Sequence, residues 1–274
     1  MPLYPRRNHG FSLVELMVAL VAGLIVSYAV VAFVLSSMKS NGEYVQSTKL
    51  TQTLRNSLDL VVRDLRRAGY DDSAIARLAG GATSPAVGLS PFTPMLLDNT
   101  NTSPTSGACL IYAYDRPGGT AGTLDVSNGE VRGIRRVVVT PTGASTSVGV
   151  IEYATSADLG SGAAKPTCAG ASAVYTSYPP SCNATTHWCP LTDSATINIR
   201  SFGVAENSST IVGSDPNAVR IRNFTVAMTA RLVGDDATSY LNGVSTSYKR
   251  GVQAEVKVRS DCVNTTIANC SVSP

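Results

Sequence analysis

Glu15 is the side chain whose position most needs a chemical explanation. It stands at the start of an apolar segment, and the twenty residues that follow it, 16–35, carry no formal charge. A segment of this length is about what an α-helix needs to cross a bilayer. An ionised carboxylate near its end is costly unless another group pairs with it. We therefore expect Glu15 to be paired when the segment leaves the membrane and packs against copies of similar helices.

The residues around Glu15 complete a processing motif. Arg6 and Arg7 precede Gly10, Phe11 follows it, and Glu15 is the fifth residue counted from Phe11. This combination resembles the class III signal of type IV pilins and their relatives. The resemblance implies that a membrane aspartyl peptidase cleaves between Gly10 and Phe11 and methylates the new amino terminus. It also implies that Glu15 meets the amine of Phe11 of a neighbouring subunit in the filament core.

Two other interpretations of this N-terminal segment stay open. A conventional secretory signal would have a shorter apolar run, and Ser36 and Ser37 would then form its weak cleavage site. A plain signal anchor would leave Glu15 without a role. The arginines favour a cytoplasmic N-terminus, so the residues after the apolar run would face an oxidising compartment. We expect a single-pass protein of the bacterial inner membrane with a periplasmic C-terminal part.

Six cysteines follow the apolar segment, and an even number in an oxidising compartment favours disulfides. They are Cys109, Cys168, Cys182, Cys189, Cys262 and Cys270. We expect first a bridge between Cys262 and Cys270, which would close a short loop beside a predicted terminal strand. A second bridge is expected between two of the three cysteines at 168, 182 and 189. Cys109 would then pair with the third.

Little in the remaining sequence is suited to catalysis. His187 would be the one imidazole left after removal of the leader, and it lies between Cys182 and Cys189. Two thiolates and this imidazole are a candidate zinc site, but structural zinc sites usually have four ligands. We favour a disulfide-stapled loop that exposes His187 and Trp188, although a lone Trp is more often packed. No enzymatic activity, metal or cofactor is expected.

The charged side chains indicate no ligand of their own. The adjacent aspartates at 71–72 and 235–236 lie in predicted loops and lack the spacing of an EF-hand calcium loop, although calcium binding there stays open. The arginines within 132–136 cluster without interleaved aromatic side chains, which is weak evidence for nucleic acid. The net charge of +3 is modest. We expect no nucleic-acid partner.

The spacing of apolar residues predicts one long helix. The residues that recur at steps of three and four are Leu50, Leu54, Leu58, Val61, Val62 and Leu65. They form one apolar face of an amphipathic helix. No proline interrupts 11–68, and Gly69 follows as a helix stop, so the helix would be about 85 Å long. A dimeric coiled-coil stalk is the alternative explanation of the second half.

The chain after the helix has the pattern of a β-rich domain. Residues 71–107 are predicted to be a long loop, and 155–195 a disulfide-stapled excursion on the sheet. Apolar runs and period-two alternation predict strands at 109–114, 133–140, 148–153, 196–202, 219–232 and 251–259. The last two are expected to pair as an antiparallel hairpin with a long loop. The predicted fold class is α+β, with a long N-terminal helix on an antiparallel sheet, which is also the fold that the pilin resemblance implies.

These expectations divide the chain into four parts. Residues 1–10 are a removable leader, 11–35 a transmembrane and filament-core segment, 36–70 an amphipathic helix, and 71–274 a disulfide-stapled head. The helix end at 63–70, Arg-Asp-Leu-Arg-Arg-Ala-Gly-Tyr, is similar to that of minor pilins of the PilW type. That resemblance implies a role in priming pilus assembly and a place at the pilus tip. The implied partners are the prepilin peptidase, the major pilin, other minor pilins and an adhesin-like protein.

Three other functions remain compatible with the sequence. The chain would be a J-type minor pseudopilin of a type II secretion system, a component of a competence pseudopilus for DNA uptake, or a membrane-anchored enzyme or receptor. The third is disfavoured because the sequence offers a single histidine after the leader and no catalytic constellation. A structural and assembly role is the preferred interpretation.

Overall fold

The computed structural model of the chain describes residues 12–74, 90–98, 108–156, 165–212, 219–233, 240–241, 244–245, 249–258 and 262–263. The predicted leader with Gly10, the adjoining Phe11, Cys270 and the aspartate pair at 235–236 lie outside these residues. The chain folds as two compact units, Met1–Thr48 and Lys49–Pro274.

Helix α1 comprises Leu13–Leu65, in agreement with the uninterrupted helical pattern. In the first unit its described side chains are exposed, with Ser47 only partly so. Among the described residues, α1 is the one helix long and apolar enough to cross a membrane.

In the second unit α1 is amphipathic. Leu50, Leu54, Val61 and Leu65 have no exposed surface, because residues three and four apart lie on one side of a helix. The helix ends at Leu65, and Gly69 follows with a φ of 76°. Many helices end in this left-handed conformation, which glycine adopts without strain. The predicted glycine stop is confirmed.

The first sheet has five antiparallel strands in the order β1-β2-β3-β4-β5. These strands are β1 (Met95–Asp98), β2 (Cys109–Ala113), β3 (Val131–Val139), β4 (Val148–Thr155) and β5 (Trp188–Pro190). A short 3₁₀ helix, Val126–Asn128, lies between β2 and β3 and is capped by Asp125.

The second sheet is built around β7, Val219–Leu232. One side of β7 pairs with β6 (Ile197–Val212), and the other pairs with β10 (Arg250–Lys257) and β11 (Cys262–Val263), all antiparallel. The strands β8 (Tyr240–Leu241) and β9 (Val244–Ser245) pair with each other. The predicted antiparallel pairing of the last two long strands is confirmed by β7 and β10.

All six predicted strands are present, with ends within two residues of the predicted ones except in β6. That strand continues to Val212, ten residues beyond its predicted end. The predicted loop 71–107 contains β1, and the predicted excursion contains β5. Both strands are very short and lie at the edges of the first sheet, so they carry no alternation that a sequence pattern could reveal.

The main core lies between α1 and both sheets. It includes Leu50, Leu54, Leu58, Val61 and Leu65 of α1, Leu110 and Tyr112 of β2, Ile199 of β6, and Phe224, Val226 and Met228 of β7. A second cluster, with Ile111, Val131 and Trp188, covers the opposite face of the first sheet. Because β2 is buried on both faces, its sequence is an apolar run without alternation.

Candidate functional site

The first unit presents an apolar surface that none of its described residues covers. Its large apolar side chains from Leu13 to Leu35 are between 44% and 78% exposed. Contiguous apolar surface on this scale marks a membrane or protein contact, because water disfavours it. The helix is therefore suited to lipid or to a bundle of similar helices.

Glu15 lies in the first turn of α1 and is exposed. Helix α1 begins at Leu13, and the carbonyl of the preceding Ser12 accepts a hydrogen bond from the Leu16 amide at 3.1 Å. A carboxylate in the first turn is favoured by the helix dipole. The structure thus places Glu15 at the positive end of an apolar helix. The predicted cleavage between Gly10 and Phe11, the methylation of Phe11 and its pairing with Glu15 involve residues outside the described part of the chain.

The run at 63–70 that marks the helix end is a junction between helix and sheet. Asp64 accepts hydrogen bonds from the hydroxyls of Tyr112, in β2, and Tyr114, which follows the end of that strand. Burial, and then the Asp64 carboxylate, raise the pKa of Tyr112 well above its ordinary value. Both hydroxyls therefore remain donors, and Asp64 anchors the last turn of α1 to β2.

The backbone after the helix continues this junction. The Gly69 amide donates to the Ala113 carbonyl at 2.7 Å, and the Asp115 amide donates to the Tyr70 carbonyl at 2.8 Å. The chain leaving α1 thereby runs beside the end of β2. Together with Asp64, these contacts give the helix-end sequence a structural role within the second unit.

A buried ion pair joins β3 to β4. Arg135 and Glu152 are opposite each other in the strand register, and their side chains are 3% and 0% exposed. The Arg135 guanidinium contacts Glu152 Oε2 at 2.8 Å through Nη2 and 3.0 Å through Nε. Burial lowers the pKa of Arg135, while the Glu152 charge opposes that shift. A charge pair removed from water is tolerated only when its remaining hydrogen-bonding capacity is satisfied.

Residues 165–189, which we call the stapled segment, satisfy that capacity. Arg135 Nη1 donates to the carbonyls of Cys168 and Gly170, each at 2.7 Å. Glu152 Oε1 accepts from the Ala173 amide at 2.9 Å and from the Tyr175 hydroxyl at 3.2 Å. The ion pair thus holds the stapled segment against the first sheet, on the face opposite the main core.

Trp188 is buried, so the expectation that it is exposed beside His187 is wrong. Its side chain has no exposed surface, and the Arg135 guanidinium lies 4.0 Å from the centre of its ring. The ring rests on Gly133, where a Cβ would come within 2.7 Å of it. The indole Nε1 donates to the Thr167 carbonyl at 3.2 Å. Trp188 therefore packs the stapled segment onto β3.

Two disulfides complete the stapled segment. Cys109 is bonded to Cys168 and Cys182 to Cys189. This agrees with the expected bridge between two of the cysteines at 168, 182 and 189 and the pairing of Cys109 with the third, and it shows which two are joined. Both thiols of the candidate zinc site beside His187 are consumed in the second bond, so that site is excluded. The bridge expected first, between Cys262 and Cys270, involves Cys270, outside the described residues.

Within the described residues, neither the aspartate pair at 71–72 nor the arginine cluster within 132–136 forms a ligand site; the pair at 235–236 lies outside them. Asp71 accepts a hydrogen bond from the Ser73 amide at 2.8 Å, as in a local turn. Within the described part of the chain, no three His, Cys, Asp or Glu side chains are grouped to hold a metal ion. Arg135 and Arg136 are both buried, which removes them from any nucleic-acid surface. Burial, and then the nearby Arg200, lower the pKa of Arg136 to about 10.

The described residues form a cleft of about 470 Å³ beside the β3–β4 turn. The residues that line it include Thr142, Tyr175, Tyr178 and Ser194. No carboxylate, imidazole or amine lines this cleft.

A helix with an acid in its first turn, an exposed apolar part and an amphipathic part that covers antiparallel sheets defines a type IV pilin-like protein. The comparisons with known families agree. The family described as prepilin peptidase-dependent protein B matches residues 43–250, and the prokaryotic N-terminal methylation motif matches residues 5–31. The chain belongs to the prepilin peptidase-dependent protein B family. No curated protein and no solved structure matches the chain.

Proposed function

We propose that the chain is a minor pilin of a type IV pilus, of the PilW type, which primes pilus assembly. We place it at the pilus tip with other minor pilins and an adhesin-like partner. The observation that carries the proposal is the exposed apolar part of α1, which has no core of its own. A surface of this kind requires lipid before assembly and other pilin helices afterwards.

Before assembly the chain would lie in the bacterial inner membrane, with its N-terminus in the cytoplasm and its head in the periplasm. The prepilin peptidase would remove residues 1–10 and methylate Phe11. The match of the methylation motif to residues 5–31 and the dependence on prepilin peptidase in the family description support this step. Disulfides in the head suit the oxidising periplasm.

Glu15 would set the position of the subunit along the filament. In the low dielectric of a helix bundle, its carboxylate would pair with the methylated amine of Phe11 of a neighbouring subunit. Leaving either charge buried without the other is strongly unfavourable, so mismatched positions are rejected. Apolar helix packing would provide most of the adhesion.

The Glu15→Gln variant tests this role. We expect it to accumulate in the membrane at the normal level and to be depleted from sheared pili, because the neutral amide leaves the amine unpaired. Glu255→Gln, an exposed position on β10, is the matched control and should enter pili normally. Normal incorporation of Glu15→Gln would contradict the proposed pairing.

The priming role is tested by deleting the gene in a strain that retracts its pili and in a strain that cannot. We expect sheared pili to be lost in the first strain and to return in the second, because a priming subunit lowers the barrier to assembly and does not build the shaft. Normal pili in both strains would overturn the proposal. The J-type pseudopilin would then be the next candidate, and export of folded exoproteins the assay for it.

A further inference from the structure

The cleft beside the β3–β4 turn is bounded by two turns that backbone hydrogen bonds hold in place. One turn links β3 to β4, and the other belongs to the stapled segment. The second is closed by hydrogen bonds of 2.8 and 3.0 Å between the backbones of Val174 and Ser181. The Thr142 amide of the first turn donates to the Tyr175 carbonyl of the second at 3.2 Å. The cleft is therefore formed before any ligand arrives, as most small-molecule sites are.

The buried part of the cleft lining, which we call the floor, is mostly apolar. It consists of Val148, Tyr175 and Ser194, which are 2%, 8% and 5% exposed. Val148 and Tyr175 belong to one small core cluster, and Val233 packs against it. The Tyr175 hydroxyl is already engaged, because it donates to the buried Glu152 carboxylate at 3.2 Å. The floor therefore offers a ligand mainly carbon surface.

The exposed part of the lining, which we call the rim, is rich in hydroxyl groups. Its hydroxyl-bearing residues are Thr142, Thr146, Thr176, Ser177 and Tyr178. Tyr178 is 73% exposed, so the rim also presents a large aromatic ring to water. None of the described lining residues carries a charge. The cleft thus combines carbon surface, an aromatic ring and hydroxyls, without a counter-ion for a charged group.

We propose that this cleft binds a neutral saccharide. Sugar rings carry hydroxyls at their edges and C–H groups on their faces, so they match a hydroxyl rim, an apolar floor and an exposed aromatic ring. Phosphates, carboxylates and amines fit less well, because the described lining offers no opposite charge to offset their loss of water. A purely apolar ligand would cover the rim hydroxyls without giving them hydrogen-bond partners.

The size of the cleft is consistent with this ligand. Its volume of about 470 Å³ lies within the range of small-molecule sites, about 300–1,000 Å³. A peptide is the competing occupant, but extended peptides are commonly recognised by a strand edge. Val148 is the one described lining residue that lies in a strand, so a peptide would find no such edge along the described lining.

The first experiment applies the full chain, solubilised in lauryldimethylamine oxide, to an array of neutral and acidic oligosaccharides. This detergent has no sugar headgroup that would compete for the cleft. One arm displays neutral oligosaccharides of cell surfaces, and a second displays N-acetylglucosamine oligomers, which represent cell-wall glycan. A third arm displays a peptide library. We expect binding in a neutral saccharide arm, and the arm that binds identifies the source of the saccharide.

Titration of the best-binding oligosaccharide, followed by saturation-transfer NMR, then tests the site. Tyr178→Ala should raise the Kd at least about tenfold, because truncating an aromatic anchor removes much of the binding energy. Tyr178→Phe keeps the ring and should bind within about threefold of the unchanged chain. The matched control is Tyr44→Ala in α1, at a tyrosine that is 74% exposed, and it should leave the Kd unchanged.

A second variant obstructs the cleft and leaves Tyr178 in place. Ala144→Leu combined with Ala195→Leu adds bulk at two exposed lining positions and should abolish binding. An unchanged urea midpoint confirms that the head remains folded.

Three results would overturn the inference. They are no binding in either neutral saccharide arm, binding of acidic oligosaccharides or peptides alone, and a Kd that neither cleft variant changes. The inference goes beyond the proposed pilin function and does not depend on it, because the array measures the isolated chain. The gene-deletion assay of pili decides the proposed function separately.

Discussion

At the residue scale, Glu152 is a buried carboxylate that joins β3, β4 and the stapled segment. It has no exposed surface, and its two oxygens together accept hydrogen bonds from Arg135, Ala173 and Tyr175. Removing its charge would leave the Arg135 guanidinium buried against Trp188 without a counter-ion. The cost of an uncompensated buried charge exceeds that of any lost surface contact.

We therefore expect Glu152→Gln to lower the free energy of unfolding by about 3–5 kcal/mol. Urea unfolding of the detergent-solubilised full chain measures this change. Trp188 is the only tryptophan, so its fluorescence follows the region directly. The exposed Glu255→Gln serves as the control and should change stability by less than about 0.5 kcal/mol. A loss below about 1 kcal/mol for Glu152→Gln would show that the pair is not essential.

At the element scale, the docking of α1 on the first sheet combines apolar packing with a polar anchor at Asp64. Asp64 is held by Tyr112 and Tyr114, while Leu54, Leu58 and Leu65 supply the apolar contact. Apolar packing tolerates small shifts of a helix along its axis, whereas a hydrogen bond requires defined geometry. We infer that Asp64 fixes the position of α1 on β2.

A double-mutant cycle with Asp64→Ala and Tyr112→Phe tests this anchor. We expect a coupling free energy of about 1–2 kcal/mol, since hydrogen bonds to charged groups are among the stronger ones. The same cycle with Asp59→Ala, on the exposed side of α1, should give no coupling beyond experimental error. Urea unfolding monitored through Trp188 provides all the values. Equal coupling in both cycles would refute the anchor.

The two disulfides of the stapled segment close loops of very different length. Cys109 and Cys168 are 59 residues apart, whereas Cys182 and Cys189 are 7 apart. In the chain-entropy model, the longer loop stabilises the fold by about 4 kcal/mol and the shorter by about 2 kcal/mol. The double variants Cys109→Ala with Cys168→Ala, and Cys182→Ala with Cys189→Ala, should lose stability in that order. The reverse order in urea unfolding would mean that native-state contacts outweigh loop entropy.

At the scale of the whole molecule, buried tyrosines link the stability of the head to alkaline pH. Burial, and then the neighbouring Asp64 and Glu152 carboxylates, raise the pKa values of Tyr112 and Tyr175 above the ordinary value. In the unfolded chain these phenols have a pKa of about 10, which is the reference value for tyrosine. Their contribution to stability is therefore complete below pH 10 and is lost as the pH rises above it.

We expect the urea concentration at the unfolding midpoint of the full chain to stay constant as the pH rises to about 9 and to decrease between about pH 10 and 11. Tyr175→Phe should make this fall shallower, because it removes one phenol that ionises only in the unfolded chain. Tyrosine absorbance at 295 nm, recorded beside the Trp188 fluorescence, reports the ionisation itself. A midpoint that is level through pH 11 would contradict the protonated state of these tyrosines in the fold.

The two units of the chain differ in what stabilises them. Lys49–Pro274 encloses its own core, whereas the apolar side chains of α1 in Met1–Thr48 remain exposed. The first unit therefore depends on its surroundings. Lipid and neighbouring helices are two environments that remove its apolar side chains from water. This is the physical basis of the proposed passage from membrane to filament.

Local patterns in the sequence determined the helix, the long strands and the N-terminal processing motif. Helical spacing from Leu50 to Leu65 and strict alternation within β10 reflect the geometry of neighbouring residues, which the sequence carries directly. The motif of Gly10, Phe11 and Glu15 is likewise local. The match of the N-terminal methylation motif to residues 5–31 confirms the class of protein. The pairing of Glu15 with Phe11 stays a prediction.

Only the tertiary structure shows which distant residues pack and pair with each other in the second unit. The partnership of Arg135 with Glu152 depends on the register of β3 against β4, and the burial of Trp188 depends on the space left above Gly133. The strands β1 and β5 exist because longer strands provide edges for them. Register and packing join residues that are far apart in the chain, and a local pattern contains no record of which distant partner each residue will meet.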